Sequence, residues 1–509
     1  MSQIFKRSTL LALSFAITAS LFSGCGQGKV SNNATKTPQV SDESEKKPVL
    51  KVLLRYSKDD LNTYPVSAAL EQKTGYKVEY EMLPQDKPYD KLNLLIAGGE
   101  PYDVVTIGNN KDIYSDYARR NALNDLSPLI DKYGANIKTA VSQKSFDSIK
   151  VDGKVYGIPT AQVPTAGESI MVRQDWLDKL NMKAPTTVDE FTAMLKAFKE
   201  KDPGGNADKN IPLTMHGDAP LVPNLAGAFG MESGWTDVNG KLTPNPLNPE
   251  FKEYLTYMSD LYKQGFIDKE FATNKIATAK EKFASGRAGA IPLGYADVPD
   301  VVNSLIKNKP EAKTTYIPTL KGKDGKSGLN AGGGLDRLSF IPKSSKNPEH
   351  AMKWMNAKLD KDTFKVMTIG EEGVHYTVKD GNYLPILPKF LDERNNASMY
   401  LTGIDEKNYP TYWQARVRKD PKLFEAWEFM NIKQPAETRK LDIMQTAPYL
   451  AEYTKNAAQL STLQKDYMVK VLVGAEPLTG LDGFVKKWKE AGGEASYNEV
   501  NSWYGTTKK

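Results

Sequence analysis

A chain of 509 residues with 68 basic and 62 acidic side chains has a formal charge of only +6, far short of the concentrated positive surface of a nucleic-acid binder. Hydrophobic residues make up 40% and charged residues 26%, which fits two or three ordinary domains or one large two-lobed body with a sizeable core. One cysteine and three histidines exclude an intrachain disulfide framework and thiolate zinc clusters, and leave little for histidine-based metal chemistry.

Residues 1–24 read as a targeting signal. Lys6 and Arg7 supply the positive start, and Leu10 to Phe22 form an apolar run too short to span a bilayer comfortably, followed by small residues. Leu21-Phe22-Ser23-Gly24-Cys25 resembles a bacterial lipobox, after which a peptidase cuts before a lipid-bearing cysteine. The usual aliphatic residue three before the cysteine is Phe22 here, with Leu21 one place earlier. An ordinary signal with a chance cysteine is the alternative; the only cysteine of the chain, standing directly after Ser-Gly, favours lipidation of Cys25. Residues 25–48 then form a tether: two lone valines and no aromatic ring among Gly, Ser, Asn, Thr, Lys and Glu cannot offset the entropy of ordering. The expected product is an exported body, anchored to the outer face of the cell membrane through lipid alone.

The body, 49–509, opens with alternating elements. Leu50 to Leu54 predicts a strand, Pro65 to Thr74 a helix, Val78 to Met82 a strand, Tyr89 to Ile96 a helix, and Asp103 to Ile107 a strand. This is the βαβ pattern of an open, largely parallel sheet, whose ligands bind beyond the carboxyl ends of the strands. That rule nominates Tyr56, Asn109 and Asn110. Amphipathic helices are expected over Thr187 to Lys199, Pro249 to Gln264 and Pro348 to Leu359, the first with Thr187 as N-cap and Glu190 completing a capping box.

Several phrases resemble the extracellular solute-binding lipoproteins of ABC importers, family 1, of the large oligosaccharide-binding type. Lys91 to Gly99 followed by Tyr102-Asp103-Val104-Val105 is similar to that family's helix-to-strand signature, and Asp152-Gly153-Lys154-Val155-Tyr156-Gly157-Ile158-Pro159 to its hairpin before the first crossing between lobes. Arg173 to Leu180 with Pro185 to Phe191, Leu261 to Asp268, Asn347 to Ala351, Gly370 to Tyr376 and the ending Asn501-Ser502-Trp503-Tyr504 continue the resemblance in order through the chain. The resemblance implies an α/β fold of two lobes, periplasmic-binding-protein-like (type II), each lobe a mostly parallel sheet flanked by helices. The first lobe would hold about 49–160 plus a later return segment, and the second about 165–300 plus much of the C-terminal region. Residues 159–169, without periodicity, suit the first crossing. The implied function is capture of a carbohydrate by a monomer, with delivery to ABC permease subunits and no cofactor.

A pyranose has an apolar C–H face and a rim of hydroxyls, so its site needs rings for the face and amides, carboxylates or Arg for the rim. Trp235, in the polar stretch Gly234-Trp235-Thr236-Asp237, is the first ring expected to stack; Trp413, Tyr412, Tyr295 and Tyr56 follow. Trp176, Trp354, Trp488 and Trp427 read as core, and Trp503 as a terminal anchor. Asn109, Asn110, Glu372, His375 and Arg173 are the polar candidates. His375 serves equally as a backbone tie in a turn, and Arg173 leans toward pairing with Asp175.

Asp202, Asn206, Asp208 and Asn210 occupy the place where relatives that bind alginate carry a calcium loop. Gly204 and Ala207 stand where a ligand and a tight-turn glycine belong, and Asn210 is neutral, so a polar turn is the stronger reading. Gly332-Gly333-Gly334 lacks the Lys-Ser/Thr of a P-loop and reads as a turn between lobes. The rival functions are an exported glycan hydrolase, which would need two carboxylates facing across a cleft, and a ligand-sensing accessory to a membrane receptor. Glu371 and Glu372 are adjacent and no other pair stands out, which favours binding over hydrolysis.

Overall fold

Four of the five side chains in Leu50–Leu54 are buried, as in a strand covered on both faces. The computed structural model describes residues 46–231 and 234–507. The chain divides into Met1–Lys46 and Lys47–Lys509, and the fold is that of the second unit. The signal, Cys25 and nearly all of the tether lie outside the described residues.

Leu50–Leu54 pairs in parallel with Val78–Met82 on one side and Val104–Gly108 on the other. The sheet is completed by Leu335–Phe340, which runs antiparallel to both Val104–Gly108 and Gly157–Ala161. The expected parallel run therefore holds for the three N-terminal strands, while a strand from far along the chain makes the sheet mixed. The second lobe departs further from a parallel sheet. Its order is Thr314–Tyr316, Glu168–Arg173, Ala288–Gly294, Ile211–Leu213, and only the last pair is parallel. A strand that begins where the chain arrives from the other lobe must run back across the sheet, and Glu168–Arg173 is that strand.

A three-stranded sheet joins the lobes: Thr165–Ala166, Leu329–Gly332 and Arg439–Leu441. Gly334 turns from it into the first-lobe sheet at φ +73°, and a Cβ there would lie 2.3 Å from the Gln445 carbonyl oxygen, so only glycine fits. Each lobe has its own core, with Trp354 fully buried in the first and Trp176 in the second. Trp488 and Trp427 are buried as well.

Helix Val188–Lys201 starts as the sequence requires, with the Thr187 hydroxyl accepting from Glu190 N–H at 3.2 Å. Glu190 reaches back to the N–H of Thr186 at 2.8 Å, one residue before the expected partner.

Candidate functional site

Three cavities lie along the edge of the first-lobe sheet where its parallel strands end. One of about 350 Å³ is bounded by Arg55, Tyr56, Tyr89 and Gly108. One of about 220 Å³ lies at the joining strands, between Gln162, Tyr295, Asp336, Arg337 and Trp413. The third, about 320 Å³, is lined by Asn109, Asn110, Lys111 and Tyr453. They adjoin through the chain itself: Gly108 and Asn109 are consecutive, and the Arg55 guanidinium feels the charges of Arg337 and Asp336. Together they line the end of the first-lobe sheet that faces the crossing, and the one at the joining strands also takes Thr165 and Tyr295 from beyond it.

The strand ends explain the chemistry of these cavities. Asn110 caps helix Lys111–Arg119 by accepting from Ile113 N–H at 3.1 Å, so its oxygen is spent on the helix. Asn109 is exposed beside it. Lys111 donates to the Ala447 carbonyl, and burial pushes its ammonium down to about 8. Tyr56 is 42% exposed, a ring available to a ligand. At the joining strands Asp336 accepts from Arg337 Nε at 2.6 Å, and Arg337 Nη1 donates to the Ser398 carbonyl. Tyr295 follows strand Ala288–Gly294, its hydroxyl pushed up mainly by burial, and Trp413 stands on helix Tyr409–Val417 of the first lobe. Gly294, the residue before Tyr295, pairs with Glu168 in the second-lobe sheet. Burial, and then the charge of Asp297, push Glu168 up to about 7.

The remaining expectations are placed elsewhere. Trp235 is 8% exposed, in a hairpin of Trp235–Val238 with Lys241–Pro244. It packs with Leu242, Met444 and Val500 and meets Tyr453 edge-on at 5.9 Å. The exposed loop expected for it is corrected to a packed strand, because the C-terminal helix Glu494–Thr507 covers it. Tyr412 is also core, 5.4 Å from Tyr383, on the helix face opposite to solvent. His375 is buried in a turn: Nδ1 accepts from Glu371 N–H at 3.0 Å and Nε2 lies 2.9 Å from Glu393. Burial holds its pKa below the usual histidine value against the opposing pull of Glu393. Glu372 is exposed in that same turn. Arg173 clamps Asp175 with bonds of 2.8 and 2.6 Å, at the end of its strand away from Glu168. Five residue steps separate those ends, roughly 17 Å of extended chain.

The Asp202 loop closes on itself. Its carboxylate accepts from Asn206 N–H at 3.0 Å and Ala207 N–H at 2.7 Å, and Asn210 donates to the Phe198 carbonyl at 2.7 Å. Asp208 sits in a short helical turn. A Cβ on Gly204 would lie 2.3 Å from the Trp176 ring, so no side chain fits where a calcium ligand would stand. This donor set does not fit a calcium ion, and among the described residues no three His, Cys, Asp or Glu side chains gather to hold a metal.

Sequence reasoning missed Arg55, Arg337, Asp336 and Glu168. The strand-end rule pointed to Tyr56 and would have reached Arg55 one residue earlier; nothing local marks the other three.

The family model for bacterial extracellular solute-binding proteins matches residues 62–362. Lipoprotein LipO of Bacillus subtilis (strain 168) is 27% identical over 99% of this chain and 100% of its own. The polygalacturonan/rhamnogalacturonan-binding protein YtcQ of the same organism is 27% identical over 86% of this chain and 88% of its own. The fold is similar to that of the S. pneumoniae substrate-binding protein FusA in complex with kestose, with a TM-score of 0.68 at 19% identity, covering 91% of this chain and 99% of that one.

Proposed function

The chain belongs to the bacterial extracellular solute-binding protein family, and from that premise we propose that it captures an oligosaccharide between its lobes and delivers it to an ABC permease. The observation that carries the reading is this set of neighbouring cavities, whose walls combine rings (Tyr56, Tyr295, Trp413) with amides and a guanidinium group (Asn109, Gln162, Arg55). Rings fit the C–H faces of sugars and the polar groups fit their hydroxyls. The relative named for polygalacturonan and rhamnogalacturonan binding supports the carbohydrate class. Joining strands of two to four residues suit a hinge that lets the lobes close over ligand.

The protein works as a binder without turnover, exported and held to the membrane by lipid on Cys25; the relative named a lipoprotein supports the anchor. Calorimetric titration against a panel of oligosaccharides, with chromatography of the recovered sugar, tests the binding. Saturable uptake with the sugar recovered intact is expected. Cleaved sugar would establish the hydrolase instead, and a panel with no binder would overturn the carbohydrate reading. Cys25→Ala should move the body to the medium or leave the precursor uncleaved, read by cell fractionation. Mature protein still on the membrane would remove the anchor, since stable attachment needs its lipid chains.

A further inference from the structure

We propose that the captured oligosaccharide is acidic, built of uronic-acid units, and that Arg55 is the fork that receives one of its carboxylates. This deepens the carbohydrate reading above and rests on it.

Arg55 leaves strand Leu50–Leu54 directly into the 350 Å³ cavity, where it is the one charged lining residue. Its stem runs beside Gly108, near the Tyr89 hydroxyl. The neighbouring carboxylate is already engaged: Asp336 holds both Nε and Nη2 of Arg337 at 2.6 Å. Two guanidinium groups thus share one acid, and the acid is aligned on the other. The Arg55 guanidinium has no hydrogen-bond or ion-pair partner among the described residues. Burial, and then the charge of Arg337, pull its pKa below the usual arginine value, which marks a cation short of compensation.

A partly desolvated guanidinium with open donors is costly until an anion fills its planar fork, and a carboxylate matches that fork with two parallel bonds. The rest of the cavity fits a sugar ring: Tyr56 and Tyr89 give faces, and Pro84 and Pro88 are apolar. Among the described residues no acid lines the Arg55 cavity: Asp336 lines the neighbouring one and is held by Arg337, Asp112 and Asp442 line the third, and Asp297 of the second lobe is paired with Lys280 at 2.7 Å. An anionic ligand is therefore oriented with its carboxylate on the first-lobe wall.

The test uses trigalacturonate and trimannuronate, each beside its fully methyl-esterified form, which keeps the skeleton and removes the charge. At least one acid should bind roughly tenfold or more tightly than its ester, the gain of a charge-assisted pair. Arg55→Gln should erase that preference by weakening the acid and leaving the ester unchanged, and Arg55→Lys should fall between. The melting temperature without ligand controls for folding, and neither variant removes a hydrogen bond or ion pair that the guanidinium makes among the described residues. Neutral oligosaccharides bound while the acids are refused would overturn the proposal and leave the carbohydrate reading standing. Acid binding untouched by Arg55→Gln would remove Arg55 from the site. Refusal of acidic and neutral sugars alike would overturn both.

Discussion

Each lobe buries a lysine, and the two are treated in opposite ways. In the second lobe Lys282, with a side chain 4% exposed, bonds Asp268 and Glu270 at 2.7 Å each and Asn274 at 3.0 Å. Burial pulls its pKa down, but those acids outweigh it and the net movement is upward. In the first lobe Lys358, 1% exposed, has among the described residues only the Tyr400 carbonyl as acceptor, with the Trp354 ring 3.9 Å from its ammonium. Burial, and then Arg337, hold it well below the ordinary lysine value. The second lobe neutralises its interior charge locally. The first leaves two cations, Lys358 and Arg55, without an acid partner among the described residues, while Asp336 is taken up by Arg337.

Removing the cation from the matched lobe should do the most damage. Lys282→Met leaves Asp268 buried without a cation, its remaining donors being neutral: Thr214 at 3.1 Å, Asn274 at 2.8 Å and the Glu270 N–H at 3.0 Å. A loss of about 3–5 kcal/mol in denaturant unfolding is expected, as for any buried pair stripped of one partner. Replacing both, Lys282→Met with Asp268→Asn, should cost less than the single change. A single variant as stable as the parent would end the contrast between the lobes.

The same substitution in the first lobe should act in the other direction. Lys358→Met removes a buried ammonium that has no acid, for an expected gain on the order of 1 kcal/mol at neutral pH. The sign follows from linkage. The unfolded lysine stays protonated up to about 10.5 while the folded one gives up its proton earlier, so the parent's stability rises with pH over that window. The advantage of Lys358→Met should therefore be larger at pH 7 than at pH 9. A loss as large as that of Lys282→Met would show that the two lysines are equivalent after all.

The unequal lobes also show what a linear reading can reach. Leu50–Leu54, Val78–Met82 and Pro65–Thr74 were legible because apolar spacing and punctuation are local, and the boundaries agree to the residue. Arg337 and Asp336 were not, since they meet Arg55 only after Leu335–Phe340 returns antiparallel to a strand some 230 residues before it. Trp235 misled for the same reason: its own neighbours are polar, and the apolar cover comes from Val500 and Trp503 at the far end of the chain. Tyr412 had a readable signal. Tyr409, Tyr412 and Ala415 recur every third residue on one buried helix face, which leaves Trp413 at its margin.

The smallest expected effect sharpens the contrast where the second lobe meets the cleft. Glu168 is the exception to that lobe's matched charges: among the described residues no cation pairs with its carboxyl, and Asp297, itself held by Lys280, is the charge it feels. With its pKa pushed up to about 7 from an ordinary 4.5, the folded state keeps a proton that the unfolded chain has released. Stability contributed by that proton is complete below about 4.5 and is lost as the pH rises through about 7. Glu168→Gln, which cannot ionise, should leave stability unchanged at pH 4 and raise it at pH 8 by on the order of 1 kcal/mol, well under the full linkage value because the partly exposed carboxyl is screened. Urea unfolding of both proteins at the two pH values reads the difference directly. The contrast depends on the sign alone: a variant less stable than the parent at pH 8 would mean that the ionised Glu168 has a stabilising partner, and that the second lobe matches its charges up to the cleft edge.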